Sequence, residues 1–338
     1  MDSLTQILLG AAVGEVTLGK RVGNKAILWG AIAGTIPDLD VLSGFFVDDL
    51  TKNEWHRGLS HSLVFHLALA PVLARIVRWI HRKSKVQASL REWRRHLFWC
   101  LFTHALLDAH TSWGTQLLWP LPWKFSWNNI FVADPLYTTP LLLSFLLILF
   151  IRRGSPWRQT INTIGLVLSS VYMAFTLVCK GIVHHRFSEA LSRKGIDYQG
   201  ISTRPTPLNC ILWNANVELE DAYLIGDYSL FDSSPIDFTR IPKNHQLIKQ
   251  LEDHDKVKRL YRLTEGEYAV RMVDDTLVYN DLRFGMFGEA EEEGDFVFAY
   301  QLIPDGEDIE VREIPPPRPE GKEFEEAFAQ LWVRLKGN

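Results

Sequence analysis

Cysteine is scarce, three residues in 338, and none of the three falls in a CxxC or a Cys/His spacing of the zinc-finger kind. A disulfide framework and a thiolate metal site are thereby excluded, and Cys100, Cys179 and Cys210 read as apolar fillers. No GxSxG elbow, P-loop or GxGxxG fingerprint occurs, so serine-hydrolase, nucleotide-phosphate and dinucleotide readings have no support. The start carries Asp2 and no basic region, so no secretory signal peptide is expected. Net charge is also small, −4. That value hides two unlike halves. Residues 1–180 hold 18 Lys and Arg against 10 Asp and Glu, whereas the remainder holds 18 against 30. Ten of the twelve Trp and seven of the eleven His lie in the first part. The basic residues sit beside apolar stretches and the polar half is acidic, which argues against a nucleic-acid binder.

Runs free of charge mark candidate membrane spans in the first half. Gln159–Cys179 is 21 residues long, and Pro135–Ile151 and Gly58–Ala74 are 17 each. Ser3–Gly14, Ala26–Pro37 and His96–Leu107 supply three shorter runs of 12. The alternative, a soluble bundle with buried helices, fits the two later runs poorly because they are too long and too apolar. The expected fold is a polytopic α-helical membrane domain of about six spans over 1–180, followed by a small soluble α+β domain over 181–338. Lys and Arg cluster at 20–25, 75–95 and 152–158. If these links are cytoplasmic, the segments 38–60 and 108–135 and everything after 180 face outward. Trp113, Trp119, Trp123 and Trp127 then fall in an outer segment, where amphipathic rings favour the membrane–water interface.

Three polar constellations interrupt the apolar half, all at that same end. Pro37-Asp38-Leu39-Asp40 puts two carboxylates on a turn after the second span. His56-Arg57-Gly58-Leu59-Ser60-His61-Ser62 opens the third span, with Gly58 allowing both rings to converge. His104 and Asp108 end the fourth span at i,i+4, one turn apart on one helix face. A lone His on an apolar helix is more often a hydrogen-bonded core residue than a ligand. Three such clusters at membrane depth point instead to a functional site. Imidazoles with carboxylates suit a divalent transition metal, Zn, Mn or Fe. Zn or Mn is the expectation, as one ion or a two-metal centre that activates water and clamps a phosphoester or acyl substrate.

At these residues the chain resembles the bacterial inner-membrane metal-dependent hydrolases typified by YdjM and YbcI. The resemblance lies in DSLTQILLGAAVG (2–14), IPDLD (36–40), HRGLSHS (56–62) and THALLDAHTSWGTQLLWP (103–120), in that order. It covers about the first 135 residues closely. It implies a polytopic fold, a location in the bacterial inner membrane and a hydrolase activity. The metal ligands it implies are Asp38, Asp40, His56, His61, His104 and Asp108. Relatives often carry His where this chain has Gln6, a poor ligand for such a metal, which leaves the first span's contribution open.

Arg57 sits between the presumed ligands, where it is either a bidentate partner for a substrate phosphate or carboxylate, hence a catalytic residue, or a snorkelling interfacial arginine. His110 and Asp134 are candidates for supporting partners or a general base, although Asp134-Pro135 is also a helix start with Asp134 as N-cap. His66 lies deeper than a ligand should, and His184-His185 read as an interfacial polar cap. After residue 200, strands are predicted over Asn209–Leu219, Ala222–Leu230, Tyr268–Val273, Thr276–Leu282 and Phe296–Leu302. Helices are predicted over Gln246–Leu263 and Lys322–Leu335. Glu289–Glu293 reads as a solvated acidic loop, and Pro315–Pro317 with Pro319 as a stiff linker.

The functional expectation is a membrane hydrolase with membrane lipids as surroundings, acting on a phosphoester or related bond in a lipid-like substrate. Two alternatives remain open: a non-enzymatic membrane protein with a structural metal or an ion path, and an interaction protein acting through its C-terminal domain.

Overall fold

The uncharged runs fold as helices whose starts are set by short polar side chains. A computed structural model describes residues 1–287, 295–306, 308–316 and 321–338. In chain order the helical part contains α1 (Ser3–Gly14), a π-helical turn (Glu15–Gly19), α2 (Lys20–Val22) and α3 (Asn24–Ala33). A 3-10 segment (Pro37–Phe45), α4 (Asp49–Trp55) and a 3-10 turn (Leu59–His61) follow. Next come α5 (Leu63–Ile80), α6 (Leu90–Asp108), α7 (Pro135–Phe150) and α8 (Pro156–Arg193). Asp2 accepts from Thr5 N at 3.0 Å to cap α1. Ser62 caps α5, and Ser89 with Glu92 forms a reciprocal capping box on α6. Asp134 caps α7 with Pro135 at its first position, the helix-start role open to it from sequence.

Two compact units result. The first comprises Met1–Ser43, Trp55–Val178 and Pro207–Asn209, and the second Gly44–Glu54, Cys179–Thr206 and Cys210–Asn338. The division falls inside α8, and the insertion 44–54 belongs to the second unit although it lies within the apolar half. Among the described residues, α5 and α8 are long and apolar enough to cross a membrane, and α3 with the 3-10 segment after it makes a third if that pair, bent by 43°, is one span. Length and composition thus identify two or three of the six expected crossings; α1 and α7 have 12 and 16 residues, and α6 carries charge in its first turns.

Direction alternates along the first unit. Gln6 and Asp108 bond to each other at one end, as do His104 and the Gly34 carbonyl. At the other end Arg158 reaches Glu15, Asn24 and the Ile148 carbonyl. Helices α1 and α3 pack backbone to backbone. A Cβ on Gly10 would overlap the Gly30 carbonyl, one on Gly30 the Gly10 carbonyl, one on Gly14 the Ala26 carbonyl, and one on Gly34 the Gln6 carbonyl. Two small-xxx-small pairs therefore let the backbones touch, which in an apolar solvent is what favours helix association. Gly30→Leu should force the two helices apart and move Gln6 and Gly34 away from α6. Expected is a clear loss of thermal stability in detergent, whereas the exposed neighbour Leu28→Ala on α3 changes it little.

The second unit holds two four-stranded antiparallel sheets. One is β1 (Gly200–Pro205), β2 (Leu212–Glu218), β3 (Ala222–Ser229) and β4 (Thr239–Pro242). The other is β5 (Tyr268–Val273), β6 (Thr276–Phe287), β7 (Asp295–Asp305) and β8 (Asp308–Ile314). Tyr223 and Ile225 of β3 pack against Ala269, Leu282 and Phe296 of the second sheet. β5 and β6 join through Asp274 and Asp275, both at positive φ, as a tight two-residue hairpin requires. The helix predicted over Gln246–Leu263 is split into a 3-10 segment (His245–Leu251) and α9 (Asp255–Leu263), because His254 caps a new start. α10 is Lys322–Leu335. Three strands were not predicted: β1 ends in proline, β4 has four residues, and β8 alternates with charge. The 44–54 insertion is held in this unit by Asn53 donating to the Tyr300 hydroxyl at 3.1 Å and by Arg259 Nη2 on Glu54 at 2.7 Å. The acidic run 289–293, Pro317 and Pro319 lie outside the described residues.

Candidate metal centre

Helix ends place the polar groups. Pro37 follows α3 and turns the chain into the 3-10 segment, so Asp38 projects beside the end of that helix. Ser62 stops the preceding turn to start α5, leaving His61 at the junction. His104 and Asp108 occupy the last turn of α6.

These four side chains converge. His104 Nε2 lies 3.1 Å from His61 Nε2 and 3.3 Å from both Asp38 Oδ1 and Asp108 Oδ2. His61 Nε2 lies 3.4 Å from Asp38 Oδ1 and 3.2 Å from Asp108 Oδ2. The two carboxylate oxygens are within 4.8 Å of each other. A tetrahedral ion with bonds of about 2.0 Å holds its ligand atoms about 3.3 Å apart, so five of the six edges match such a cage. Asp108 is fully buried, and its Oδ2 has no hydrogen-bond partner among the described residues. An ionised oxygen left so is costly unless a cation completes it. Asp38, Asp108, His61 and His104 therefore form a candidate metal-binding cluster.

The surroundings aim the lone pairs inward. His104 Nδ1 donates to the Gly34 carbonyl at 2.7 Å, which leaves Nε2 as the acceptor facing the cluster. His61 Nδ1 lies 2.9 Å from Ser60 Oγ, and Ser60 Oγ donates to Asp40 Oδ2 at 2.9 Å. The network thus assigns the Nδ1–H tautomer to His61 as well. Asp40 also accepts from Arg57 N at 2.8 Å and pairs with His56 Nδ1 at 3.0 Å. Of the six ligands implied by the motifs, four meet around one point, while Asp40 and His56 pair with each other behind His61.

Arg57 is buried at φ 60°, a left-handed conformation that is strained for a non-glycine residue. It donates from Nη1 to Thr111 Oγ1 at 2.7 Å, and Nη2 lies 3.5 Å from Asp108 Oδ1. That oxygen also accepts from Gln6 Nε2 at 3.0 Å and contacts the Met1 amino group. Helix α1 therefore reaches the cluster through a carboxamide that braces Asp108. Sequence reasoning noted Gln6 only as a missing ligand, and it overlooked Ser60 and Thr111; Ser60 was visible inside HRGLSHS, whereas nothing local marks Thr111.

Other candidates lie apart from the ligand atoms. His110 bonds Asn129 Oδ1 at 2.8 Å and packs on Trp127. Asp134 caps α7 and accepts from the Tyr172 hydroxyl at 2.7 Å. His66 Nε2 bonds the Ser60 carbonyl at 3.1 Å. A second buried polar group, unforeseen from sequence, occupies the opposite end of the helices. Glu15 Oε1 and Oε2 receive Arg158 Nε and Nη2 at 2.9 and 3.0 Å, and Gln159 Nε2 adds a bond of 2.7 Å. Gly19 leaves room for that carboxylate, since any Cβ there would overlap it.

Comparison with known proteins bears on the first half. Residues 1–187 match the model of the YdjM inner membrane protein family. Over 147 residues, 40% of this chain and 82% of the relative, the sequence is 34% identical to the inner membrane protein YbcI of Escherichia coli (strain K12). No solved structure matches the chain.

Proposed function

We propose, from the premise that the chain belongs to the YdjM inner membrane protein family, that it is an integral membrane hydrolase in which Asp38, His61, His104 and Asp108 hold a divalent transition metal. One observation carries the reading: four ligand atoms of which five of the six separations match a tetrahedral cage, one of them the fully buried Asp108 Oδ2, which accepts no hydrogen bond among the described residues. Two imidazoles and two carboxylates form a donor set suited to Zn or Mn, as one ion. When bound, such an ion would polarise a phosphoryl or acyl oxygen of the substrate. Arg57 presents a guanidinium beside Asp108 and stabilises negative charge developing on the substrate. Ser60 and Asp40 keep His61 in its ligating tautomer, the Gly34 carbonyl does so for His104, and Gln6 fixes the rotamer of Asp108. The substrate is a phosphoester or related bond, and the site's depth favours one in a lipid-like molecule.

The proposed topology has six passes, with the short helices completing it inside the bundle. The cluster and the segment after α8 then lie away from the cytoplasm, because the Lys- and Arg-rich links mark the other side. A second reading draws on the count of ligands. Four protein donors fill a tetrahedron, as in structural sites, whereas catalytic sites keep a position open. Asp38, 24% exposed where the other three are buried, is the ligand that substrate or water would reach. The test is metal content per protomer of unchelated, detergent-purified protein, followed by turnover of phosphoester lipids. Near-stoichiometric Zn or Mn with turnover lost on chelation supports the hydrolase. Metal without turnover supports the structural reading. A folded protein that holds no metal and takes up neither Zn nor Mn rules out both.

A further inference from the structure

After α6 the chain makes a loop whose base is closed by Thr115 and Phe125, bonded in both directions at 2.9 and 2.8 Å. Its tip is apolar and open: Leu118, Trp119, Leu121 and Trp123 are 36–60% exposed. Three bonds fix where this tip lies. Leu63 N, at the first residue of the candidate span α5, donates to the Leu117 carbonyl at 2.9 Å. A helix that crosses a bilayer begins at the interface, so the loop lies at the depth where headgroups give way to acyl chains. Gln116 N donates to the Arg57 carbonyl at 3.0 Å, and Trp113 Nε1 reaches the His56 carbonyl at 3.4 Å. The loop is thus tied directly to the residues flanking the cluster.

The rim continues on the other elements of the site. Leu39, between Asp38 and Asp40, is 54% exposed, and Leu59, next to Ser60, is 45% exposed. Apolar side chains thereby stand beside a polar centre, and Arg57 Nε, buried there, has no hydrogen-bond partner among the described residues. Exposed tryptophan and leucine with a buried, unmet cationic donor behind them form an amphipathic receptor.

We infer that the 113–127 loop is a lipid-engaging rim. Its tip inserts among acyl chains and seats one bilayer phospholipid so that an anionic headgroup oxygen meets Arg57. Insertion of the tip stands by itself; presentation of the headgroup to a metal rests on the reading of the cluster given above. The occupant is a bilayer lipid rather than a soluble partner because the Leu117 carbonyl is bonded to the first residue of a candidate membrane span, which holds the tip against the bilayer at high effective concentration.

The test uses the full chain in nanodiscs of phosphatidylethanolamine and phosphatidylglycerol. Spin labels are placed at Leu121→Cys and Trp123→Cys, with Asp253→Cys, on an exposed loop of the other unit, as control; the three native cysteines are buried. Labels on the tip should collide several-fold more with dissolved oxygen than with a water-soluble nickel chelate, and the control should show the reverse. In a second arm, Leu121→Asp/Trp123→Asp should retain wild-type metal content, since no ligand is touched, yet lose co-purified phospholipid. Inorganic phosphate should not compete that phospholipid away from wild type. Tip labels as chelate-accessible as the control overturn the inference, with or without metal. Displacement by inorganic phosphate alone overturns the lipid as occupant. Buried tip labels in a protein without metal leave the rim standing and remove only the metal reading.

Discussion

His104→Ala and Asp108→Asn should each abolish stable metal binding, lowering affinity by more than about 100-fold, the upper range for loss of a mere supporting residue. His104 Nε2 makes three of the five cage edges near 3.3 Å, so its loss removes the atom that joins the other three ligands. Asp108→Asn keeps the shape and the oxygen that Gln6 and Arg57 donate to, so the fold should persist while the charged ligand is lost. The informative contrast is with Asp40→Asn and His56→Ala. Both residues belong to the motifs, yet they reach the cluster through Ser60, Arg57, His61 and each other. They should retain metal with affinity reduced by about 10–100-fold. Metal analysis and competitive titration in detergent check the ranking. Equal, complete loss at all four positions would point to a six-ligand, two-metal centre instead of the single cage.

Glu15→Ala should be among the most destabilising single substitutions in the helical unit, although it lies at the end far from the cluster. The Glu15 side chain is 0% and Arg158 2% exposed. Removing one partner of such a pair leaves an uncompensated buried charge, at a cost of about 3–5 kcal/mol. Arg158 would keep its bonds to the Ile148 and Ile151 carbonyls and to Asn24, but those satisfy protons without neutralising charge. Replacing both by Glu15→Leu/Arg158→Leu should recover most of the loss, as volume-matched apolar residues often do for buried pairs. Thermal unfolding of single and double variants in one detergent checks this. Additive losses in the double variant would mean that the two residues act separately. Metal content should remain at the wild-type level in every variant that folds, because no cluster residue touches this pair.

Several features were legible from residues alone because their causes are local. Charge-free runs, capping residues such as Ser89 and Asp134, and the aromatic and β-branched content of Tyr268–Val273 each act within a few positions. The i,i+4 pair His104 and Asp108 shares a helix face by helical geometry, and motif order is enough to bring the resemblance into view. The residues alone thus mark six acids and imidazoles beside three helix ends.

Which of those six meet is a different kind of fact. Asp38, His61 and His104 come from separate elements, and the packing of α1, α3 and α6 on one another brings Gly34 within reach of His104. That same packing turns Gln6 from a missing ligand into a brace and sends Asp40 behind His61. Arg158 illustrates the limit most clearly. Its neighbours in sequence class it with a basic link, whereas its partner Glu15 lies 143 positions away. Composition and periodicity report what a residue does to its own segment; an ion pair or a metal cage depends on separations of about 3 Å between segments, and those exist only once the helices have packed.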